Sequence, residues 1–461
     1  MPRFLRIGLL SLAGLACWPA LRPPCLSQPM RPVDAPLAAP ASPRVTGHPF
    51  VRIWRTDDYD GGATNESIVQ HPVTGYIYVA NNEGVLEFDG AHWQLIPLPK
   101  KDRAETLAVD TGGRVWVGAA NEIARLEADG QGGLRAVTVV DELPDGALNY
   151  TGEAVAAPDG VWFGGLQHIV RVGAHDAVTT WRTAERFGPV WRMDGGVYTS
   201  VADREVLRLG EDGKLVPALL RADIAPPPER PNPLQVFAAH DMGDGDWQLL
   251  TALGPVRWHR GARNWRILPD AMPFFRTAVA VAGTFLADGR MAFSLARPAV
   301  AICAADGSLE RVIDRMPTVL NTRLTHMMED AEGGMWLPGA ERIVRLDLRR
   351  RYSRHEGAQN LQGNPREIVR NHGVLFVAHS EGVSGYAERS GEFLPAVNLL
   401  RGADSLAVVG DELFAAAAGL VQVRADLGTR VLSNLGVATL AAARGAAPAL
   451  FAGDAQGVWS F

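Results

Sequence analysis

Ten phrases of one kind run down the 461 residues of this chain. "GYIYVANNEGVLEFDG" begins at Gly75, "GRVWVGAANEIARLEADG" at Gly113 and "GGMWLPGAERIVRLD" at Gly333. Each has an aromatic apolar strand, a short polar loop, a second strand and a Gly-rich turn, and Asp-Gly turns suit hairpins because they tolerate positive φ. The central aromatics are Tyr78, Trp116, Trp162, Tyr198 and Trp247, then Phe293, Trp336, Phe376, Phe414 and Phe451. They recur about every 41 residues, the period of four short strands per propeller blade.

The aromatic strands dictate how such units assemble. "VWVG", "VWFG" and "VYTS" are apolar at consecutive positions, so both faces of the sheet must be covered. A lone four-stranded sheet cannot cover both, and neighbouring units must do so. The aromatics are therefore read as packing between blades rather than as a platform for ligand. Other repeat folds fail on content: there is no "GH…WD" pair, no leucine ladder and no paired amphipathic helices. The calcium carboxylates of quinone-cofactor propellers are missing too, and no cofactor is expected.

The fold class that follows is all-β: a β-propeller of four-stranded antiparallel blades, with one seven-bladed ring and an incomplete second ring of about three blades. "FVRIWRT", Phe50 to Thr56, reads as a fourth strand without a blade of its own. It is expected to close the seventh blade by pairing with "RIVRLD", which removes the sheet edge. The first ring then spans residues 50–348 and the partial second ring residues 349–461. "RRYSRHEG" at Arg350 is the analogous strand opening the second ring. The final "GVWSF" aligns with "GVLEF", partway through a blade, so the chain is expected to be the front portion of a longer protein. The alternative is a stand-alone protein with an irregular stack.

The first residues read as an export signal over 1–28, with Arg3 and Arg6 before the apolar "IGLLSLAGLACW". Cleavage is expected after Ala16 or near Ser27, and Cys17 offers a weaker lipoprotein-anchoring reading. A Pro/Ala-rich linker follows over 29–49. Of the 3 cysteines, only Cys303 lies beyond this segment, so no internal disulfide can form. The compartment expected is the bacterial periplasm, where Asn65 and Asn149 are not read as glycosylation sites. A net charge of −6 argues against non-specific nucleic-acid binding.

Particular residues carry a family resemblance. "ELPDGALNYTGEAVAAPDGVWFGGLQHIVRV" supplies Leu143, Pro144, Asn149, Gly160, Trp162 and Gly164. "MPTVLNTRLTHMMEDAEGGMWLPGAERIVRLD" supplies Pro317, Asn321, Asp330, Gly334 and Trp336, and a third unit supplies Asp110, Gly113, Trp116 and Gly118. These resemble the unit of the two-component regulator propeller family, the periplasmic input half of bacterial hybrid histidine kinases and diguanylate cyclases. The resemblance covers roughly residues 50–461 unevenly. The units near Tyr198, Phe293 and Phe414 lack the Trp, and Pro338 replaces a small Gly. It implies tandem rings, then a small β-domain, a membrane helix and a cytoplasmic kinase or cyclase domain. It also implies a non-catalytic sensor for a small molecule, glycan or protein partner, with homodimerisation as a further expectation.

If the first ring binds a ligand, the loops leading into its innermost strands are the expected place. Those loops offer Asn65, Glu66, Asn149, Tyr150, Asn321 and Arg323. No G-x-S-x-G elbow, H-E-x-x-H or phosphate-binding loop occurs, and the 11 histidines lack metal-ligand spacing. "HDMGDGD", His240 to Asp246, superficially resembles a calcium loop without its closing Glu and reads better as a blade turn. "SRHEG" around His355 is not read as a phosphoacceptor, and "RLDLRRRYSR" reads as a solvated or interfacial patch. The competing functions are a propeller lyase or hydrolase using His71, His168, His240 or His326, and a non-signalling scaffold or adhesion protein.

Overall fold

A computed structural model describes residues 49–461 apart from 143–153, 202–204, 211–212, 221–234, 263–264, 269–270, 315–323, 325, 349–360, 388–391, 397–401, 435 and 444–448. The expected export signal, all of the linker but its last residue, and the strand expected at Arg350 lie outside the described residues. The chain divides into two compact units, one over Arg44–Gln362 and one containing Gly363–Phe461.

The first unit holds seven four-stranded antiparallel sheets. Blade 1 runs Asn65–Gln70, Ile77–Asn81, Gly84–Phe88 and Trp93–Ile96, from the innermost strand outward. Blades 2 to 6 repeat the order, with innermost strands Ala104–Val109, Ala154–Ala157, Phe187–Met193, Val236–Gly243 and Ala280–Phe285. Blade 7 takes Met328–Glu329, Gly334–Gly339 and Arg342–Asp347 from the end of the unit. Its outermost strand is Phe50–Arg55, paired antiparallel from Phe50↔Asp347 to Arg55↔Arg342. The closure expected from "FVRIWRT" is present, shortened by one residue because Thr56 opens a short helix, Thr56–Tyr59.

Second strands are buried on both faces, as their unbroken apolar runs require. Every residue of Ile77–Asn81 and Val115–Ala119 is buried. Each apolar cluster then straddles two blades. Ala80, Val85 and Ile96 of blade 1 pack against Leu107, Val115 and Val117 of blade 2. Trp162 and Trp181 of blade 3 meet Phe187, Val190 and Val197 of blade 4. The circuit ends where Trp54, Trp336 and Ile343 of blade 7 meet Ile68, Val79 and Leu86 of blade 1. The remaining seams are filled in the same way. The expected packing role of the aromatics is visible in Trp54 and Trp336, which stack with centroids 4.8 Å apart and planes 7° apart.

The recurring Asp-x-x-Gly turn has a chemical purpose. Asp330 accepts the backbone N–H groups of Glu332 and Gly334 on one oxygen. Its other oxygen accepts Trp336 Nε1 at 2.7 Å and Arg345 Nε at 2.6 Å. In blade 3, Asp159 receives Trp162 Nε1 and Arg171 Nη1, again from the residue paired with the Trp on the next strand. Blade 2 uses Asp110 with Trp116 Nε1, but its arginine is Arg114 of the turn itself. One carboxylate thus holds the indole and a cation in each of these blades, and in blades 2 and 7 the backbone of the turn as well.

The hairpin reading of His240–Asp246 holds. Strands Val236–Gly243 and Asp246–Thr251 meet there, with Asp244 and Gly245 at φ 53° and 83°. Two consecutive positive φ values make this the tight turn natural to a twisted hairpin. Among the described residues no cluster of His, Cys, Asp and Glu could hold a metal ion.

The second unit contains three sheets side by side. The first comprises Pro365–Asn371, Val374–His379, Gly382–Ala387 and Glu392–Pro395. The second comprises Ser405–Val409, Glu412–Ala416, Leu420–Val423 and Thr429–Ser433. The third has three strands, Thr439–Ala443, Ala449–Gly453 and Val458–Ser460. Apolar seams join first to second and second to third. Phe376 and Phe414 are buried, whereas the equivalent Phe451 is 39% exposed.

Candidate ligand site in the central channel

Seven innermost strands surround a channel, and their side chains are shared between it and the seams. A chamber of about 910 Å³ occupies the channel, within the size range of small-molecule pockets. Blades 1, 2, 3, 5 and 6 supply it from their innermost strands, with turn and second-strand residues added in blades 5 and 6, and blade 7 adds His326–Glu329. A lobe of about 450 Å³ shares Val109, Val155, Phe237 and Ala238 with it and extends past Arg192 of blade 4.

The walls are mostly apolar. Phe237, Met242, Phe285 and Met327 line the chamber with valines and alanines between them. The polar residues at its edge are largely occupied. Gln70 accepts the Ala331 N–H at 2.8 Å and donates to the Gly75 carbonyl at 2.9 Å. Gln248 donates to the Ala305 carbonyl at 3.1 Å, and Glu329 accepts the Ala287 N–H at 2.5 Å. The Gln70, Gln248 and Glu329 contacts tie one blade to the turn of the next.

Two histidines face the chamber. His240 lies with its ring centroid 5.3 Å from that of Phe285. His326 is pushed down to about 4 by burial, because a cation there would lose its water. The residue is half-buried overall with its Nδ1 shut off from solvent, and the neutral ring is the form favoured at pH 7. Of the other histidines considered for catalysis, His71 accepts the N–H groups of Val73 and Thr74 in its own turn. His168 opens the third strand of blade 3. Neither lines the chamber.

The loop residues expected from sequence fall elsewhere. Asn65 is 3% exposed, and its amide donates to Tyr59 Oη and the Gly339 carbonyl while accepting from Asn81 Nδ2. It laces blade 1 to blade 7 at the end of the channel where innermost strands begin. Glu66 follows it on the same strand and is partly exposed, and neither residue lines the chamber. Asn149, Tyr150, Asn321 and Arg323 lie outside the described residues. Sequence reasoning looked for polar loop residues and passed over the apolar ends of the innermost strands. A usable signal was the bulk at Phe237, Phe285 and Met328, where a strand pressed on both sides by blades would carry small residues.

Among the described residues, a nucleophile–base pair stands in the second unit. His379 Nε2 lies 2.9 Å from Ser384 Oγ, with both residues buried. The Glu381 N–H donates to Nδ1 at 3.2 Å. That nitrogen is therefore the acceptor, and Nε2 carries the proton and donates to the serine. A base awaiting the serine proton needs the opposite tautomer. Cys303 is likewise no nucleophile: burial pushes its thiol up to about 12.

No family profile and no curated protein sequence matches this chain. Its fold is shared with solved structures. The extracellular domain of the hybrid two-component system BT3049 from B. thetaiotaomicron matches over 89% of this chain and 59% of its own, at 12% identity and TM-score 0.64. The corresponding domain of BT4673 from the same organism matches over 89% and 58%, at 13% identity and TM-score 0.48. A streptogramin B lyase matches over 65% of this chain and 97% of its own, at 14% identity and TM-score 0.50. The chain thus spans about three-fifths of the length of the two-component domains it matches. No helix among the described residues is long and apolar enough to cross a membrane. The chain is a β-propeller, similar in fold to the extracellular domain of a hybrid two-component system.

Proposed function

We propose that this chain is a non-catalytic, periplasmic, ligand-receiving propeller module of a bacterial signal-transduction protein. The observation that carries the reading is the channel chamber, roomy enough for a small molecule yet without an assembled catalytic group among the described residues. The start of the sequence, which reads as an export signal, and the fold shared with a two-component extracellular domain support it. The output partner is a cytoplasmic kinase or cyclase domain, reached across the membrane in a longer relative of this chain. The proposed division of labour is a first ring over 50–348 that meets the ligand and a partial ring over 349–461 that passes on the change.

A second reading, a channel lyase or hydrolase, is favoured by one observation: His240 and His326 face the same chamber. One experiment separates the two. The purified chain is screened against bacterial culture extracts by thermal shift, and compounds that raise its melting temperature are recovered for mass spectrometry. The sensor reading expects them unchanged. Recovery of an altered compound, with the alteration lost in His240→Ala or His326→Ala, would overturn it.

A further inference from the structure

We infer that the chamber takes an uncharged small molecule of mainly apolar surface carrying an aromatic ring, and that sugars and anions are poor occupants. This rests on the ligand-receiving reading above and deepens it. Two observations lead there. Bulk apolar groups come from different blades onto one space: Phe237 and Met242 of blade 5, Phe285 of blade 6, and Met327 leading into blade 7. Thioethers and ring edges are favourable neighbours for an aromatic ring and make few demands on its shape. The His240–Phe285 pair, centroids 5.3 Å apart, presents a further aromatic wall.

Polar economy excludes the alternatives. A sugar needs side-chain donors and acceptors that are open to it, because each hydroxyl stripped of water must be repaired. Gln70, Gln248 and Glu329 instead spend hydrogen bonds on neighbouring turns. An anion needs a cation, and among the described residues no Lys or Arg lines the main chamber, which does contain the Glu329 carboxylate. Arg192 stands in the side lobe, donating to the Ala156 carbonyl at 3.0 Å. His326 stays neutral and offers an anion nothing at pH 7.

The test uses the full chain and N-phenyl-1-naphthylamine, an uncharged two-ring probe whose fluorescence rises in apolar surroundings. The expected result is saturable binding at one site. Ala238→Trp, which fills the junction of chamber and lobe, is expected to weaken it about tenfold or more. Met242→Lys, at a 42% exposed position where the fold tolerates charge, is expected to weaken it by a similar factor. Melting curves certify that both variants fold. Malto- and xylo-oligosaccharides and 1-naphthoate are expected not to displace the probe. The inference falls if the probe fails to saturate, if both variants bind it unchanged, or if an oligosaccharide or the naphthoate displaces it. Failure of this kind leaves the sensor reading standing, whereas chemical turnover of a bound compound overturns the sensor reading alone.

Discussion

Removing the Asp330 carboxylate tests the blade clasp most directly. Its side chain is 5% exposed and that of its partner Arg345 is 20% exposed. Asp330→Ala strands the Trp336 indole N–H, two turn N–H groups and most of a guanidinium. Breaking one partner of a buried ion pair costs about 3–5 kcal/mol. Arg345 keeps Glu332, which is 83% exposed and recovers little, so about 2–4 kcal/mol is expected. The same substitution in blade 2, Asp110→Ala, meets a carboxylate 9% exposed paired with an arginine 59% exposed. Its arginine returns to water, and about 1–2 kcal/mol remains, mostly from the Trp116 N–H and the turn. In blade 3, Asp159 is 39% exposed, and the loss should be about 1 kcal/mol or less. Urea unfolding followed by tryptophan fluorescence, with the first ring's transition fitted separately from any second one, gives the three values. An equal cost at all three positions, or a larger cost at Asp159 than at Asp330, would refute the clasp as a burial-dependent device.

Two further outcomes are expected. Trp54→Ala removes the Trp336 stack and the edge contacts to Phe88 and Trp93, at about 3–5 kcal/mol. Hydrogen exchange should then show Arg342–Asp347 losing protection ahead of blades 3 to 5, and unchanged protection there would count against closure by this strand. Acid should weaken the fold before most carboxylates titrate, because burial lowers the pKa of both His326 and His379. The unfolded imidazoles bind protons first, near pH ~6.5, so the stability that neutral rings contribute is complete above that pH and is lost as pH falls toward 4. His326→Gln should flatten the fall of the urea midpoint between pH 6.5 and 4, and an unaltered slope would remove His326 as its cause.

Much of the ring was legible in the chain because its determinants are local or repeated. Trp116, Trp162 and Trp336 each follow a turn and precede an unbroken apolar run, which fixes both the strand and its two covered faces. Phe50–Arg55 was identifiable as a lone outer strand because it copies "TTWRTAE" and lacks a hairpin partner of its own. The chamber was less legible. Whether a residue such as Phe237 or Val109 turns to the channel or the seam depends on strand register and on bulges, such as the one between Val236 and Ala238. Asn65 illustrates the opposite difficulty. An Asn beside a loop suggests recognition, but its partners Tyr59, Gly339 and Asn81 come together only when blade 7 meets blade 1, which no local window records. The same limit hid His379 and Ser384, whose tautomer is decided by the backbone N–H of Glu381.

The junction of Phe50–Arg55 with Arg342–Asp347 also sets an order of events. Roughly 290 residues separate the two partners, and at ordinary synthesis speeds the earlier strand waits about 15–60 s for the later one. For that interval Trp54 and its neighbours have nowhere to bury, and six sheets can stack without a lock. Nascent copies therefore carry a sticky early segment whose safety depends on an escort until its partner strand arrives. Conditions that slow translation should raise aggregation of newly made chains without altering the stability of finished ones.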